Sequence, residues 1–321
     1  MPDRPRPLLV AALVALRPHQ WIKNILLFGG LAFTRRWHEA TAGLSPTRAP
    51  WLDALLVATL AFAVFCALSS AGYLINDLRD READRRHPTK CRRPIATGEL
   101  PPGVAVALAV LLFAGALAGG WVLSRRGGDT IYFGYTALGY LLLTNAYSLL
   151  LKHYVIIDVI AISLMFVTRV VAGCWVIPEP PSWWIVICTL FGALYMALLK
   201  RRGELMAMEA SGGTRPVLVK YQSLEGESTG LLDQMISMAG TAAILCYSLY
   251  TFYRPVEINA LDQRGKLMLT IPFVVYGVFR YLYLVRKMDI GQNPERLFID
   301  RGMIVNLLLW GLTIMWATSG M

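Results

Sequence analysis

Long apolar segments recur along almost the whole chain. Crossing about 30 Å of hydrocarbon takes about 20 mostly apolar residues in a helix, and nine segments approach that description. They are 18–34, 53–75, 102–123, 130–151, 154–177, 183–199, 231–253, 267–286 and 302–319. The first is the weakest, because Lys23 and Asn24 interrupt it. The pattern predicts an all-α, polytopic membrane bundle of about nine transmembrane helices, in a single domain over residues 1–321.

The composition favours a membrane protein over a soluble one. Of the 321 residues, 56% are hydrophobic and only 16% are charged, whereas soluble domains carry about a quarter charged residues. The net charge of +10 is typical of a membrane protein that contacts anionic headgroups or substrates. Membrane lipids are therefore expected partners, no nucleic acid is expected, and a homo-oligomer is possible. The five cysteines show no spacing typical of a zinc site or a disulfide framework.

The Lys and Arg residues are divided unevenly between the two sides of a nine-span topology. Counting the flanking segments places 20 of them on one side and 8 on the other, so the first side is cytoplasmic by the positive-inside rule. This predicts a multi-pass protein of the cell inner (plasma) membrane, with its N-terminus inside. Residues 1–17 contain a short apolar run between arginines and no cleavage site, which is typical of an interfacial segment.

An acidic motif follows the second apolar segment, in the sequence NDLRDREAD. If the helix continues, its rotation of about 100° per residue places Asn76, Asp77, Asp80 and Asp84 within one arc. Clustered carboxylates need a cation, and hard oxygen ligands suit Mg²⁺. We therefore predict a Mg²⁺ cofactor held by these four residues, with Asp77, Asp80 and Asp84 as the catalytic carboxylates. The alternative is a solvated helix end with arginine partners four residues away.

Basic residues stand in the two long loops predicted to be inside, 76–101 and 200–230. In the first, Pro88 and Pro94 prevent a continuous helix, so the loop is predicted to fold back beside the acidic residues and to bind phosphate oxygens. The second is predicted to form another wall of the same site. The alternative is that these residues only determine topology. The predicted substrate-binding residues of the two loops are Lys90, Arg92, Arg93, Lys200, Arg201 and Glu204.

Other polar residues lie within or beside the apolar segments. Lys23 with Asn24, Lys152 and Arg169 are predicted to bind substrate, and the three cations are candidates for positioning a lipid phosphate. A charge such as Arg169 inside a span costs about 2.5 to 3.5 kcal/mol on insertion scales, so it needs a partner or a wet cavity. We predict that Arg169 lines the substrate cavity. The alternative is a structural pairing with Asp158 or a glutamate.

The pattern NDxxDxxxD at the end of a membrane helix, followed by RPxxxG, resembles the UbiA-type superfamily of intramembrane prenyltransferases. The resemblance covers essentially the whole chain. It implies a helical bundle around a central cavity that opens to the cytoplasmic face. It also implies two aspartate-rich motifs that hold Mg²⁺ and a diphosphate.

The second motif departs from this pattern, because LLKRRGEL stands where DxxxD is expected and Lys200 replaces an aspartate. Together with RPHQWIKN, YSLLLK, FVTRVVAG and NPERLFIDR, this resembles the decaprenyl-phosphate phosphoribosyltransferase branch. That branch transfers 5-phosphoribosyl from 5-phosphoribosyl 1-diphosphate to a polyprenyl phosphate, for the synthesis of cell-wall arabinan precursors. A lysine in place of a carboxylate suits a donor with an additional phosphate.

Two other functions are compatible with the sequence. One is prenyl transfer from a polyprenyl diphosphate to an aromatic or quinone-type acceptor, for which the same first motif would serve. The other is transport of an anionic lipid. A carrier typically shows paired repeats with broken helices near the membrane midplane, whereas the polar residues here gather on one face.

Overall fold

The computed structural model is helical in the parts of the chain that it describes, and these contain no strand. They are residues 6–33, 50–86, 90–125, 130–177, 180–211, 221, 230–253, 266–288 and 300–318. The α-helices are α1 Leu8–Leu16, α2 Gly29–Phe33, α3 Pro50–Arg79, α4 Arg81–Arg85, α5 Pro94–Thr97, α6 Pro102–Ser124, α7 Ile131–Leu149, α8 Ile157–Val176, α9 Trp183–Ser211, α10 Leu231–Tyr253, α11 Ile271–Met288 and α12 Arg301–Thr318. Three 3-10 helices are Pro18–Phe28, Lys90–Arg92 and Leu151–His153. The predicted all-α class is confirmed.

Within the described ranges, six helical segments are long and apolar enough to cross a membrane. They are Leu52–Arg79, Pro102–Ser124, Ile157–Val176, Trp183–Met206, Leu231–Phe252 and Lys266–Arg286. Another apolar helix, Arg301–Ala317, is shorter, and α7 is helical without being among the six. The count of nine spans therefore stays a prediction.

The segment 18–34 differs from the α-helical span that the sequence predicts. Arg17 has a left-handed backbone with φ of 53°, which ends α1, and residues Pro18–Phe28 then form a 3-10 helix. Such helices rise about 2.0 Å per residue, against 1.5 Å in an α-helix. The 3-10 helix and α2 together therefore extend about 30 Å, close to the hydrocarbon thickness. A segment this short reaches that length because its helix is wound more tightly.

The chain divides into two compact units, each described by itself. The first comprises residues 1–149 and 165–181, and the second comprises residues 150–164 and 182–321. The prediction of one domain over 1–321 stays a prediction.

The first unit is built around α3, which packs along α6. Phe65 of α3 lies at its centre, with ring centroids 6.1 Å from Phe133 and 5.1 Å from Tyr140. A smaller apolar cluster lies towards the C-terminal end of α3, where Leu74 packs with Ala11 of α1 and Ile95 of α5. This cluster fixes the backbone on which the acidic motif stands.

The second unit has its core between α9 and α10, with α11 packed against both. Leu199, Leu205 and Ile236 are buried there. The hydroxyl of Tyr195 donates a hydrogen bond of 2.7 Å to the backbone oxygen of Val278, which ties α9 to α11. A buried hydroxyl in an apolar interior is usually paired in this way.

The 3-10 helix and α8 approach each other backbone to backbone in the first unit. A Cβ atom at Gly173 would lie only 1.9 Å from the backbone oxygen of Leu27. A Cβ atom at Gly30 would lie 2.7 Å from the backbone oxygen of Gly173. Small residues commonly permit such close contact between membrane helices.

We expect Gly173→Ala to lower the free energy of unfolding by about 1 to 3 kcal/mol or more, because the added methyl group overlaps a backbone oxygen that cannot move alone. Denaturant unfolding of the purified protein in detergent measures this. Gly115→Ala on α6 is the matched control, since a Cβ there meets nothing within 4 Å. Equal stability of the two variants would contradict the close approach.

Candidate functional site

The acidic motif stands where α3 ends. The helix ends at Arg79, earlier than the continuous helix assumed from the sequence, and Asp80 forms a turn before α4. The Asp80 backbone N–H donates to Asn76 O at 2.9 Å, and the Asp84 N–H donates to Asp80 O at 2.8 Å. These bonds keep a helical spacing through the turn, so Asp77 and Asp84 still face the same way.

Asp77 and Asp84 are buried carboxylates that share one cationic partner. Their exposures are 3% and 2%. The Nη1 atom of Arg93 lies 2.9 Å from Asp77 Oδ1 and 2.6 Å from Asp84 Oδ2. The Nζ atom of Lys90 lies 3.9 Å from Asp84 Oδ1. The predicted folding back of the basic loop beside the acidic residues is confirmed at these two positions.

Local structure holds the basic loop in place. Pro94 begins the short helix α5, whose residues Pro94, Ile95 and Ala96 are buried. The Nε atom of Arg85 donates to the Ala96 backbone oxygen at 3.1 Å. Gly98 then turns the chain with φ of 87°, a conformation that glycine adopts without strain. Arg93 directly precedes this anchored turn, which explains why its side chain reaches the carboxylates.

Arg17 is a member of this cluster that sequence reasoning missed. Its Nη2 atom lies 2.7 Å and 2.8 Å from the two carboxylate oxygens of Asp77, and its guanidinium lies 4.8 Å from the ring centroid of Tyr73. In the charge count, Arg17 is only one of the 20 basic residues assigned to the cytoplasmic side. The available signal was its place in RPHQWIKN, but no local pattern specifies a contact across 60 residues.

The two carboxylates fit part of a magnesium site. An oxygen of each lies within 2.9 Å of the same Arg93 nitrogen, so the two carboxylates face one point. Proteins often hold Mg²⁺ through one or two carboxylates, with waters or substrate phosphates as the other ligands. Among the residues that the structure describes, no group of three or more His, Cys, Asp or Glu could hold a metal. The roles predicted for Asn76 and Asp80, which are both half-buried, therefore stay predictions.

A second buried network in the first unit surrounds Arg169, which is 5% exposed. Its Nε donates to Asn24 Oδ1 at 2.7 Å, its Nη1 to Met165 O at 2.7 Å and its Nη2 to the hydroxyl of Tyr140 at 2.9 Å. The Tyr140 hydroxyl also pairs with Ser69 Oγ at 3.1 Å. Neutral hydrogen-bond acceptors and the face of the Tyr140 ring therefore stabilise the buried charge of Arg169.

This network excludes one of the alternatives for Arg169. The pairing with Asp158 is wrong, because Asp158 contacts Arg201 and Tyr221 in the second unit. All three guanidinium nitrogens of Arg169 donate to protein acceptors, so Arg169 and Asn24 hold helices together. Their predicted contact with substrate stays a prediction. Lys23 is half-buried and donates to Gln20 Oε1.

The second unit buries Asp158 completely, at 0% exposure. It accepts a hydrogen bond of 2.7 Å from Arg201 Nε and another of 2.7 Å from the Tyr221 hydroxyl. Arg201 Nη1 also pairs with Glu204 at 2.5 Å. Burial raises the pKa of Tyr221, and the hydrogen bond to Asp158 raises it further, so its hydroxyl remains protonated and donates. Arg201 and Glu204 are thus part of a hydrogen-bonded network within this unit.

The remaining predicted residues are placed as follows. Lys152 and Lys200 are half-buried, and Arg92 is exposed. His87 lies outside the described residues.

Within the late motif NPERLFIDR, Asp300 caps the N-terminus of α12 by accepting from the Met303 N–H at 2.9 Å. Asp300 also pairs with Arg280 at 2.9 Å, and this hydrogen-bonded partner lowers the pKa of the carboxyl.

The sequence profile of the UbiA prenyltransferase family matches residues 40–210. The chain belongs to the UbiA prenyltransferase family. The decaprenyl-phosphate phosphoribosyltransferase of Mycolicibacterium smegmatis is 33% identical over 315 residues, covering 97% of this chain and 93% of the relative. The enzyme of that name from Mycobacterium tuberculosis is 32% identical, covering 97% of this chain and 95% of the relative.

A solved structure has the same fold. The UbiA homologue from Archaeoglobus fulgidus bound to DMAPP and Mg²⁺ matches with a TM-score of 0.62 at 18% identity, covering 96% of this chain and 98% of that one. Membership of the UbiA family, together with the six apolar helices, makes this chain an integral membrane protein. The family resemblance predicted from the sequence is confirmed.

In this UbiA family member, we expect Arg201→Met to lower the free energy of unfolding by about 3 to 5 kcal/mol, because it leaves the fully buried Asp158 without its cation. Denaturant unfolding in detergent measures the loss. Lys200→Met, one residue earlier, is the control and should cost much less. Asp158→Asn combined with Arg201→Met should cost less than the sum of the single changes. An unchanged stability for Arg201→Met would instead leave Arg201 available for a ligand.

Proposed function

We propose that this chain transfers 5-phosphoribosyl from 5-phosphoribosyl 1-diphosphate to a polyprenyl phosphate and releases diphosphate. The observation that carries the proposal is the likeness, over nearly the full length, to relatives named decaprenyl-phosphate phosphoribosyltransferase. These are 33% and 32% identical to it. Decaprenyl phosphate is accordingly the acceptor that we propose, in the synthesis of cell-wall arabinan precursors.

The charges around Asp77 and Asp84 support a polyanionic donor. Arg17, Lys90 and Arg93 place three cations within 3.9 Å of these two carboxylates. The contacts therefore hold one more positive than negative charge, and a bound Mg²⁺ would add two more. A ligand with a diphosphate and a separate phosphate neutralises such an excess well. The charges alone do not separate this donor from a prenyl diphosphate, and the relatives favour the former.

The reaction breaks the bond between ribosyl C1 and the diphosphate oxygen and forms a bond between C1 and an oxygen of the lipid phosphate. Positive charge develops at C1, as in other glycosyl transfers. A bound Mg²⁺ would supply positive charge beside the departing diphosphate. Asp77 and Asp84 would hold the Mg²⁺, together with Asn76 and Asp80 as predicted. The proposed catalytic carboxylates are Asp77, Asp80 and Asp84.

The basic side chains act on the two anions. Arg93 and Lys90 bind the diphosphate of the donor through charged hydrogen bonds, which are the strongest kind available to a protein. The lipid phosphate is already an anion at neutral pH, so the acceptor needs no strong general base. We assign its positioning to Lys23 or Lys152, since the guanidinium of Arg169 is occupied by protein acceptors. Donor contacts by Arg92 and Lys200 stay predictions.

Prenyl transfer is less well supported than phosphoribosyl transfer. The second motif, LLKRRGEL, has Lys200 where an aspartate is expected, and the one carboxylate within this motif, Glu204, pairs with Arg201. The carboxylate pair that would hold a second metal is therefore missing from this motif.

Purified protein should transfer label from ribose-labelled 5-phosphoribosyl 1-diphosphate into the organic phase in the presence of decaprenyl phosphate and Mg²⁺. EDTA should stop the transfer. Asp84→Asn should reduce it by at least about a hundredfold, because a missing ligand typically costs that much when the metal stabilises a leaving group. Label from a prenyl diphosphate entering an aromatic acceptor, with none from ribose, would favour the runner-up function.

Asp53→Asn is the matched control for this experiment. Asp53 is a buried aspartate of the same helix α3, but it lies in the first turn, at the opposite end from Asp77. It should keep wild-type transfer. If Asp84→Asn also keeps wild-type transfer, the site assignment is wrong even though the function stands.

We further propose that the site opens to the cytoplasm of a cell with an inner (plasma) membrane, where a water-soluble phosphorylated sugar is available. Sealed inside-out vesicles should then make lipid product from added donor, whereas right-side-out vesicles should do so only after permeabilisation. A cysteine introduced at Thr97 should react from the cytoplasmic face, and one at Ser124, at the other end of α6, from the opposite face. The reverse labelling would contradict the charge-based topology.

A further inference from the structure

Arg93 and Arg17 bind the acidic residues in different ways. Arg93 bridges both carboxylates through a single nitrogen, at 2.9 Å from Asp77 and 2.6 Å from Asp84. Arg17 contacts Asp77 through one nitrogen that reaches both of its oxygens, at 2.7 Å and 2.8 Å. Arg93 therefore occupies the position between the two carboxylates, while Arg17 lies on one of them.

The two arginines also differ in how firmly they are held. Arg17 stands at the junction of α1 and the 3-10 helix, and its guanidinium packs over the ring of Tyr73 at 4.8 Å. Arg93 has an extended backbone, with φ of −69° and ψ of 140°, on the basic loop just before α5. The two side chains are similarly exposed, 25% for Arg93 and 22% for Arg17, so the ring contact of Arg17 is what separates them. The cationic end of Arg93 can turn towards solvent, or towards a soluble ligand, without disturbing the packed core.

We propose that Arg93 is an exchangeable counter-ion that selects the metal–diphosphate complex over either ligand alone. In the ligand-free protein it neutralises Asp77 and Asp84. When these carboxylates take a divalent cation, Arg93 leaves them and pairs with the diphosphate that accompanies the cation. The inference rests on the proposed function and adds to it a specific role for one residue.

Electrostatics explains why the exchange must occur. The Arg93 nitrogen contacts an oxygen of each carboxylate, and the same two carboxylates would hold a divalent cation, so the two cations would compete for them. Arg93 therefore competes with the metal until an anion gives it another partner. Metal and diphosphate should consequently strengthen each other's binding, and this coupling is reciprocal by thermodynamic necessity. Arg17 contributes charge but, being on one side of Asp77, does not need to move.

The test measures binding on the full-length protein in detergent and does not depend on turnover. Metal affinity without anion is measured by electron paramagnetic resonance of Mn²⁺. Affinity for radiolabelled inorganic diphosphate is measured by equilibrium dialysis, once with EDTA and once with saturating Mg²⁺. The ratio of the two dissociation constants gives the coupling. Metal and diphosphate also associate in solution, but equally for every variant, so differences between variants report on the protein.

Arg93→Met should bind Mn²⁺ more tightly than wild type and should reduce the coupling ratio by about tenfold or more, because one charged hydrogen bond to the diphosphate is lost. Arg17→Met removes the same charge from Asp77. It should also bind Mn²⁺ more tightly, but it should keep the wild-type ratio. Arg93→Lys keeps a cation on the same loop and should keep part of the coupling. Arg79→Met, an exposed arginine at the end of α3, should change neither quantity.

An equal loss of coupling in Arg93→Met and Arg17→Met would overturn the exchange, because general electrostatics would then explain it. Weaker or unchanged Mn²⁺ binding by Arg93→Met would also overturn it. Either result leaves the proposed function standing if the labelled ribose is still transferred. Absence of diphosphate binding in the wild-type protein, with or without Mg²⁺, would overturn both.

Discussion

A buried carboxylate is costly without a cation or hydrogen-bond donors, and the candidate site is organised by this requirement. Asp77 and Asp84 stand at the end of a membrane helix with almost no solvent contact. The neutralising charge comes from the junction after α1, which is 60 residues from Asp77, and from the loop before α5, where Arg93 is 9 residues from Asp84 and 16 from Asp77. The electrostatic need of two side chains therefore determines where the N-terminal segment and the basic loop can lie. The apolar cluster of Leu74, Ala11 and Ile95 supports the same arrangement.

Two other buried charges show that the same requirement can be met in different ways. Asp158 has a full ion pair with Arg201 and a hydrogen bond from Tyr221. Arg169 instead donates to an amide, a carbonyl and a phenol. The first arrangement cancels charge, whereas the second leaves a positive charge dispersed over neutral dipoles. Both make the residue part of the scaffold, and this separates Arg169 and Arg201 from Lys90 and Arg93, whose own side chains are more exposed.

The sequence predicted the features that depend on local pattern. Helix spacing placed Asp77 and Asp84 on one face, and two prolines returned the basic loop to them; both follow from short-range geometry. Arg17 was missed because its contact with Asp77 joins distant segments, and nothing local distinguishes it from an arginine that determines topology. The 3-10 helix Pro18–Phe28 was missed for a related reason. Apolar periodicity indicates a span but shows neither how tightly the backbone is wound nor that Leu27 lies against the backbone of Gly173.

Helix α7 shows how satisfied polar groups affect hydropathy. Its tyrosines, threonines and asparagine lower the average, yet Thr136, Asn145 and Ser148 each donate to the backbone oxygen four residues earlier. Tyr140 is used by Arg169 in the same unit. A hydropathy scale assigns Thr136, Asn145 and Ser148 the full cost of losing water, although each is hydrogen-bonded within the helix. The apolar pattern includes this helix as segment 130–151, whereas a stricter measure of hydropathy leaves it out. Sidedness depends on parity, so if α7 crosses the membrane, omitting it would invert the assigned face of every later loop. Accessibility experiments on proteins of this kind should therefore place one reporter before residue 131 and another after residue 149.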